Sequence, residues 1–274
     1  MSDATNPALD RLGELVTLDG HNGSSVTVAL HGGHVVSWRT ADGRERLFLS
    51  DRATIADGAA IRGGIPVCFP QFAGLGPLRK HGFARTSTWR CSGPCSFELL
   101  VEPGDWPGWP YRATLTLEVL LGPATLTTVL RVTNTGDDPF GFTGALHTYL
   151  ACDAVGSVHV RGLDGRSLLD GGVVNGSIEF PDPAHDVDLS VLAPTGPVRV
   201  DGLAGPDGPS LVAAQTGFPD VVVWNVGSTL GAEMGDLGAG QWNDFVCVEA
   251  AVVGTPITVG PGATWIGTQT LSVT

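Results

Sequence analysis

A short pattern that recurs along the chain constrains its fold most. It consists of runs of four to nine residues, rich in valine, threonine and leucine, many of them alternating apolar with polar positions. The runs are VTVAL at 26–30, HVVSW at 34–38, ATLTLEVL at 113–120, ATLTTVLRV at 124–132, SVHVRGL at 157–163, LVAA at 211–214, DVVVWNV at 220–226, FVCVEAAVV at 245–253 and WIGTQTLSV at 265–273. A side-chain period of two with β-branched content predicts strands. Turn clusters such as ADG, NTGDDP, PDPAHD, PTGP and AGPDGP lie between them. Only ALDRLGELV at 8–16 has a helical period. Many strands without interleaved helices predict an all-β fold, a large antiparallel β-sandwich or barrel. All-β domains reach this size as one unit, so residues 1–274 are read as a single domain. The Gly-, Pro- and Asp-rich stretch 164–210 is read as loops within it.

Charge narrows the partners. Fifteen Lys and Arg face 28 Asp and Glu, a formal net charge of -13. Such a surface repels phosphate backbones and anionic headgroups, so neither nucleic acid nor a membrane surface is an expected partner. No apolar run approaches the roughly 18 residues that span a bilayer. The opening MSDATNPALDRLGEL lacks the basic cap and apolar run of a secretory signal. A cytoplasmic, monomeric protein is expected. The five cysteines are odd in number and scattered, which predicts core residues and no disulfide framework. No metal is assigned: Cys91 and Cys95 lack a partner pair, and His31 and His34 flank Gly32-Gly33 with no third ligand.

One segment departs from the acidic background. Residues 62–90, RGGIPVCFPQFAGLGPLRKHGFARTSTWR, hold Arg62, Arg79, Lys80, Arg85 and Arg90 and no Asp or Glu; Lys80 is the only lysine in the chain. Glycines and prolines in the same stretch shape a loop that can bring guanidinium forks to a small anion, phosphate being the natural candidate. The alternative is a cationic surface that balances nearby acidic loops. Neither GxxxxGK[ST] nor a helix-opening GxGxxG occurs, so nucleotide binding is not indicated.

Two further residues stand in apolar surroundings. His147 lies in FTGALHTYLAC, where it is either a satisfied core histidine or a functional one. Glu249 lies in FVCVEAAVV, and glutamate is almost never buried unless paired, so it is functional or bound to an arginine. Together they could supply the acid and base of a reaction near neutral pH. They are 102 positions apart, and spacing alone does not bring them together. Asp220 opens DVVVWNV as a strand-start acid, and His81 follows Lys80 in the cationic loop.

RGGIPVCFPQF at 62–72, HGFAR at 81–85 with Trp89, LHTYL at 146–150, VVVWN at 221–225, MGDL at 234–237 and VCVEA at 246–250 occur in this order. Together with SWRTADGRERLFLS at 37–50 they resemble the glucose-6-phosphate 1-epimerases, or hexose-6-phosphate mutarotases, of the aldose 1-epimerase superfamily. The resemblance implies a galactose-mutarotase-type β-sandwich that binds sugar on the concave face of one sheet and needs no cofactor. It implies His147 as general acid and Glu249 as general base, with Arg62 and Arg85 on the sugar phosphate and Asp220 on sugar hydroxyls. His81 is a further contact. Lys80 stands where the family commonly has glutamine, and could add a cation to the phosphate. The loop 73–80 is short, Val226 replaces a usual proline and Ala251 a usual glycine. The expected activity is α/β anomer interconversion of a hexose 6-phosphate. An epimerase of unphosphorylated aldoses, a non-catalytic sugar-binding sandwich and a structural protein are the alternatives.

Overall fold

The computed structural model describes residues 6–20 and 22–274. Its strands run β1 (Leu15–Asp19), β2 (Ser25–Ala29), β3 (His34–Arg39), β4 (Val67–Cys68), β5 (Arg90–Gly93), β6 (Ser96–Val101), β7 (Ala113–Leu121), β8 (Thr125–Asn134) and β9 (Phe140–Leu146). They continue with β10 (Tyr149–Ala151), β11 (His159–Arg161), β12 (Val187–Leu192), β13 (Val198–Asp201), β14 (Leu211–Thr216), β15 (Asp220–Asn225), β16 (Phe245–Val259) and β17 (Thr264–Val273). One α-helix, α1 (Gly227–Glu233), follows β15. No helix is long and apolar enough to cross a membrane among the described residues.

The strands form three antiparallel sheets. A meander of β1, β2 and β3 stands beside an eight-stranded sheet ordered β11-β13-β14-β17-β8-β7-β6-β5. A six-stranded sheet is ordered β12-β15-β16-β9-β4, with β10 also pairing with β16. The all-β, antiparallel expectation holds. One buried cluster draws on all three sheets, from Val26 and Val35 through Leu115, Leu130 and Val223 to Leu271.

The alternation that marks the strands also sorts their faces. On β7, Ala113, Leu115, Leu117 and Val119 are buried, whereas Thr114, Thr116 and Glu118 are half-buried on the outside. On β16, Val246, Val248, Ala250 and Val252 enter the main core with Val221 and Val223 of β15. The intervening Phe245, Cys247, Glu249, Ala251 and Val253 face the opposite side and are buried as well. Phe72 covers that second face at one end, and Phe48 and Leu237 cover it at the other.

Two local expectations give way. The helical period at 8–16 yields only a 3-10 turn, Leu9–Arg11. Gly13 then adopts φ +74°, and Leu15 starts β1, which pairs with β2 from Leu15 opposite Ala29. Tertiary pairing outweighs a weak local preference. The stretch 164–210, read as loops, contributes β12 and β13.

Candidate active site

The second face of the six-stranded sheet carries a hollow of about 150 Å³ whose lining includes His147, Glu249, Val222 and Trp224. Glu249 arrives there by register: it pairs with Val222 on β15, and partners across an antiparallel pair point the same way. His147 arrives by a break in the ladder. Between β9 and β10 the His147 N–H donates to Pro66 O, and Thr148 turns its hydroxyl inward to donate to Gln269 Oε1 at 2.5 Å. Gln269, from β17, donates its Nε2 to Val248 O at 3.1 Å. One buried amide from the other large sheet therefore braces the residue after His147 and the residue before Glu249. The Tyr149 ring lies flat on the imidazole, with centroids 4.8 Å apart and planes 8° apart, and Trp224 meets it edge-on.

His147 Nδ1 and Glu249 Oε1 are 3.3 Å apart. His147 Nδ1 and Glu249 Oε2 are buried without a hydrogen-bond partner among the described residues. Burial pushes the Glu249 carboxyl well above the usual carboxylate range, nearby Asp188 adding to this and Arg85 opposing it. Burial likewise pushes the His147 imidazole well below its usual range, and His81, Arg85 and Arg62 add to that shift. Both groups favour their neutral forms in the unliganded hollow, a protonated carboxyl beside an unprotonated imidazole.

Three of the five cations in 62–90 line the hollow: Arg62, Lys80 and Arg85. Arg79 and Arg90 turn elsewhere, to Thr86 and Glu98. Arg62 is the most constrained, its Nη1 donating to Tyr149 Oη at 2.9 Å and its Nη2 to Asp236 Oδ2 at 3.0 Å. Arg85 donates to Lys80 O, and its buried Nε has no partner among the described residues. The His81 ring lies 5.5 Å from that of His147, tilted by 58°. Its Nδ1 accepts from Ala73 N at 3.3 Å and lies 3.4 Å from Cys68 Sγ, so the other ring nitrogen carries the proton. Burial holds its pKa at about 3, so it stays neutral. Next to it Gly82 has φ +69°, and a Cβ there would stand 2.1 Å from Phe69 O, which only glycine avoids.

Asp220, expected at sugar hydroxyls, does not line the hollow. Its Oδ2 accepts from Val253 N and Gly254 N at 2.9 Å each, so this buried carboxylate fastens the end of β15 to β16. The acid that reaches the hollow is Asp188, set opposite Trp224 on β12. Its pKa is raised, by burial first and Asp186 second. VDLSVL at 187–192 carried a strand signal for it, masked by the surrounding turn residues. Tyr149 and Asp236 were likewise passed over within recognised motifs. A larger groove of about 540 Å³ over the three-stranded sheet has Arg39 and Glu45 facing each other at 3.8 Å, and Glu45 also accepts from Ser37 and Trp38 N. Its facing pair is an arginine and a carboxylate, and its lining includes no imidazole among the described residues.

An all-β sandwich holding an imidazole and a carboxyl in a cation-rimmed hollow has the make-up of a sugar-processing protein. The aldose 1-epimerase family profile matches residues 14–272, and the chain belongs to that family. A candidate glucose-6-phosphate 1-epimerase from Cenchrus ciliaris is 34% identical over 281 residues, covering 94% of this chain and 84% of its own. One from Escherichia coli K12 is 31% identical over 264 residues, covering 89% and 84%. The crystal structure of a candidate mutarotase from Salmonella typhimurium has a TM-score of 0.83 at 28% identity over 94% of this chain and 90% of that one. A galactose mutarotase-like protein from Lactobacillus casei, 14% identical, shares the fold at a TM-score of 0.70 over 95% and 100%.

Proposed function

We propose that the protein interconverts the α and β anomers of a hexose 6-phosphate, glucose 6-phosphate being the first candidate, by opening and reclosing the sugar ring. The observation that carries this reading is the 3.3 Å approach of His147 and Glu249 beneath Arg62, Lys80 and Arg85. Glu249 takes the proton of the C1 hydroxyl while His147 gives one to the ring oxygen, and the hemiacetal opens to an aldehyde. Rotation about C1–C2 and reclosure, with the two roles exchanged, deliver the other anomer. A sugar resting against both groups favours their ionised forms, because its C1 hydroxyl donates to a carboxylate and its ring oxygen accepts from an imidazolium.

Arg85, Lys80 and Arg62 hold the phosphate, which supplies remote binding energy that keeps the ring in place. Local cationic charge prevails over the net -13 because charges beyond roughly 8 Å are screened at physiological salt. Asp188 and the neutral His81 hold sugar hydroxyls. Within the same proposal residues 1–274 act as one domain and as a cytoplasmic monomer, which gel filtration and cell fractionation check. The deciding experiment is polarimetry of freshly dissolved α-glucose 6-phosphate and α-glucose side by side. Acceleration of the phosphate alone supports the reading. Equal acceleration of both supports an aldose epimerase, and acceleration of neither overturns catalysis.

A further inference from the structure

Two lining residues of the hollow, His147 and Glu249, stand against a third donor, Cys247, buried just behind them. Cys247 lies two residues before Glu249 on β16, so both side chains leave the strand on the same face. A ring nitrogen of His147, the Cys247 Sγ and a Glu249 carboxylate oxygen all lie within 4.8 Å of one another. The three residues are 6%, 0% and 1% exposed. His147 Nδ1 and Glu249 Oε2 are among the few buried side-chain atoms left without a partner among the described residues. Such orphans are costly, and one cation between them would satisfy both.

We propose that His147, Cys247 and Glu249 form a binding site for a single zinc ion, which occupies the floor of the hollow in place of the sugar and thereby inhibits the enzyme. The donor set selects the metal. Imidazole nitrogen, thiolate sulfur and one carboxylate oxygen suit Zn²⁺, and three protein ligands leave the fourth tetrahedral position open. Mg²⁺ and Ca²⁺ prefer a shell of oxygens that these residues do not supply. Zinc bonds of about 2.0–2.3 Å put tetrahedral ligands roughly 3.3–3.6 Å apart, so side chains up to 4.8 Å apart need close by about one ångström. The charges also balance. As the Zn–S bond forms, the Cys247 S–H proton passes to solvent, as does any proton on Glu249, and Zn²⁺ with one thiolate and one carboxylate is neutral overall. No electron is transferred. His147 and Glu249 line the hollow, so the ion enters by the route a sugar takes, and the two exclude each other. The inhibition rests on the function proposed above; the binding of zinc does not.

The test titrates Zn²⁺ into the full chain against a metallochromic indicator in metal-free buffer and follows glucose 6-phosphate mutarotation in parallel. The wild-type protein should bind one equivalent and lose activity in competition with the sugar phosphate, with EDTA restoring it. Cys247→Ala should keep most of its turnover and bind zinc more weakly by at least roughly 10- to 100-fold, since outer-shell losses alone reach that range. Mg²⁺ should do nothing to either protein. Co²⁺ on the wild-type protein should give a thiolate-to-metal absorption band in the near ultraviolet, a readout that does not depend on how well the variant folds. Equal zinc binding by both proteins, no stoichiometric binding, or a cobalt complex without that band overturns the site. Stoichiometric binding with undiminished turnover overturns the inhibition. A chain inert toward both sugars that still forms the one-to-one complex sinks the epimerase reading and supports the metal site.

Discussion

The six-stranded and eight-stranded sheets contribute to one core but treat their far faces in opposite ways. On the eight-stranded sheet that face is open, with Leu100, Leu120 and Ile266 exposed beside Thr127 paired to Thr270 and Thr133 to Thr264 through their hydroxyls at 2.9 Å, and Arg131 to Glu118. These groups are bonded to each other at a part-exposed surface, where keeping them costs little. On the six-stranded sheet the corresponding face is covered, and it still holds Glu249, His147 and Asp220. Asp220 is repaid by backbone amides, while the other two keep unpartnered atoms facing a hollow. Polar residues retained under burial without partners mark where the chain gives up stability for chemistry.

That contrast can be broken by substitution. Glu249→Gln and His147→Ala should each lower kcat for glucose 6-phosphate by about 10²- to 10⁴-fold with little change in KM, read by polarimetry. Losses under tenfold in both would erase the distinction between the faces. Arg85→Ala should raise KM for glucose 6-phosphate by roughly 10- to 100-fold, the range of a lost hydrogen bond to a charged group, and leave glucose unaffected. Gln269→Leu sharpens the comparison, because this residue belongs to the eight-stranded sheet and braces both Thr148 and Val248. It should cost about 1–3 kcal/mol in urea denaturation through the orphaned groups, and it should lower kcat with KM unchanged.

A pH titration extends the test to a third buried imidazole. His34 bonds to Gly63 O at 2.7 Å, beside Arg62, and burial holds its pKa at about 3. The unfolded chain takes up a proton near pH 6.5 that the native state refuses. The stability His34 allows is therefore present above 6.5 and falls as pH drops toward 3. Denaturation midpoints at pH 7.5 and 5 should differ, and less so in His34→Asn. Smallest of all, Arg131→Ala on the open face should change stability by no more than about 0.5–1 kcal/mol and leave kcat alone.

The sequence made these faces visible unequally. Where only one side is covered, as in β7 and β8, alternation stands out in ATLTLEVL and ATLTTVLRV. The strand β12, set among glycine, proline and aspartate, was hidden, and Asp188 with it. Helix α1, GSTLGAE, has two glycines in seven residues and no period to read. His147 and Glu249 were legible as misfits in apolar runs, but their meeting depends on β16 pairing with both β9 and β10, which spacing does not encode. Asp220 read as a strand-start acid, and the resemblance alone implied a contact with sugar; the two backbone amides it binds make it a clamp.

The strand β16 is fifteen residues long, and up to Val253 its even-numbered side chains feed the core while its odd-numbered ones face the other side, where Glu249 reaches the hollow. Parity thus decides which side chains face the core. Deleting or inserting one amino acid just before Glu249 would put a methyl or an isopropyl group where the carboxyl faces the hollow, whereas a change of two would preserve the facing and shift only the height. A length-scanning library through 245–253 should accordingly lose activity at odd steps more completely than at even ones.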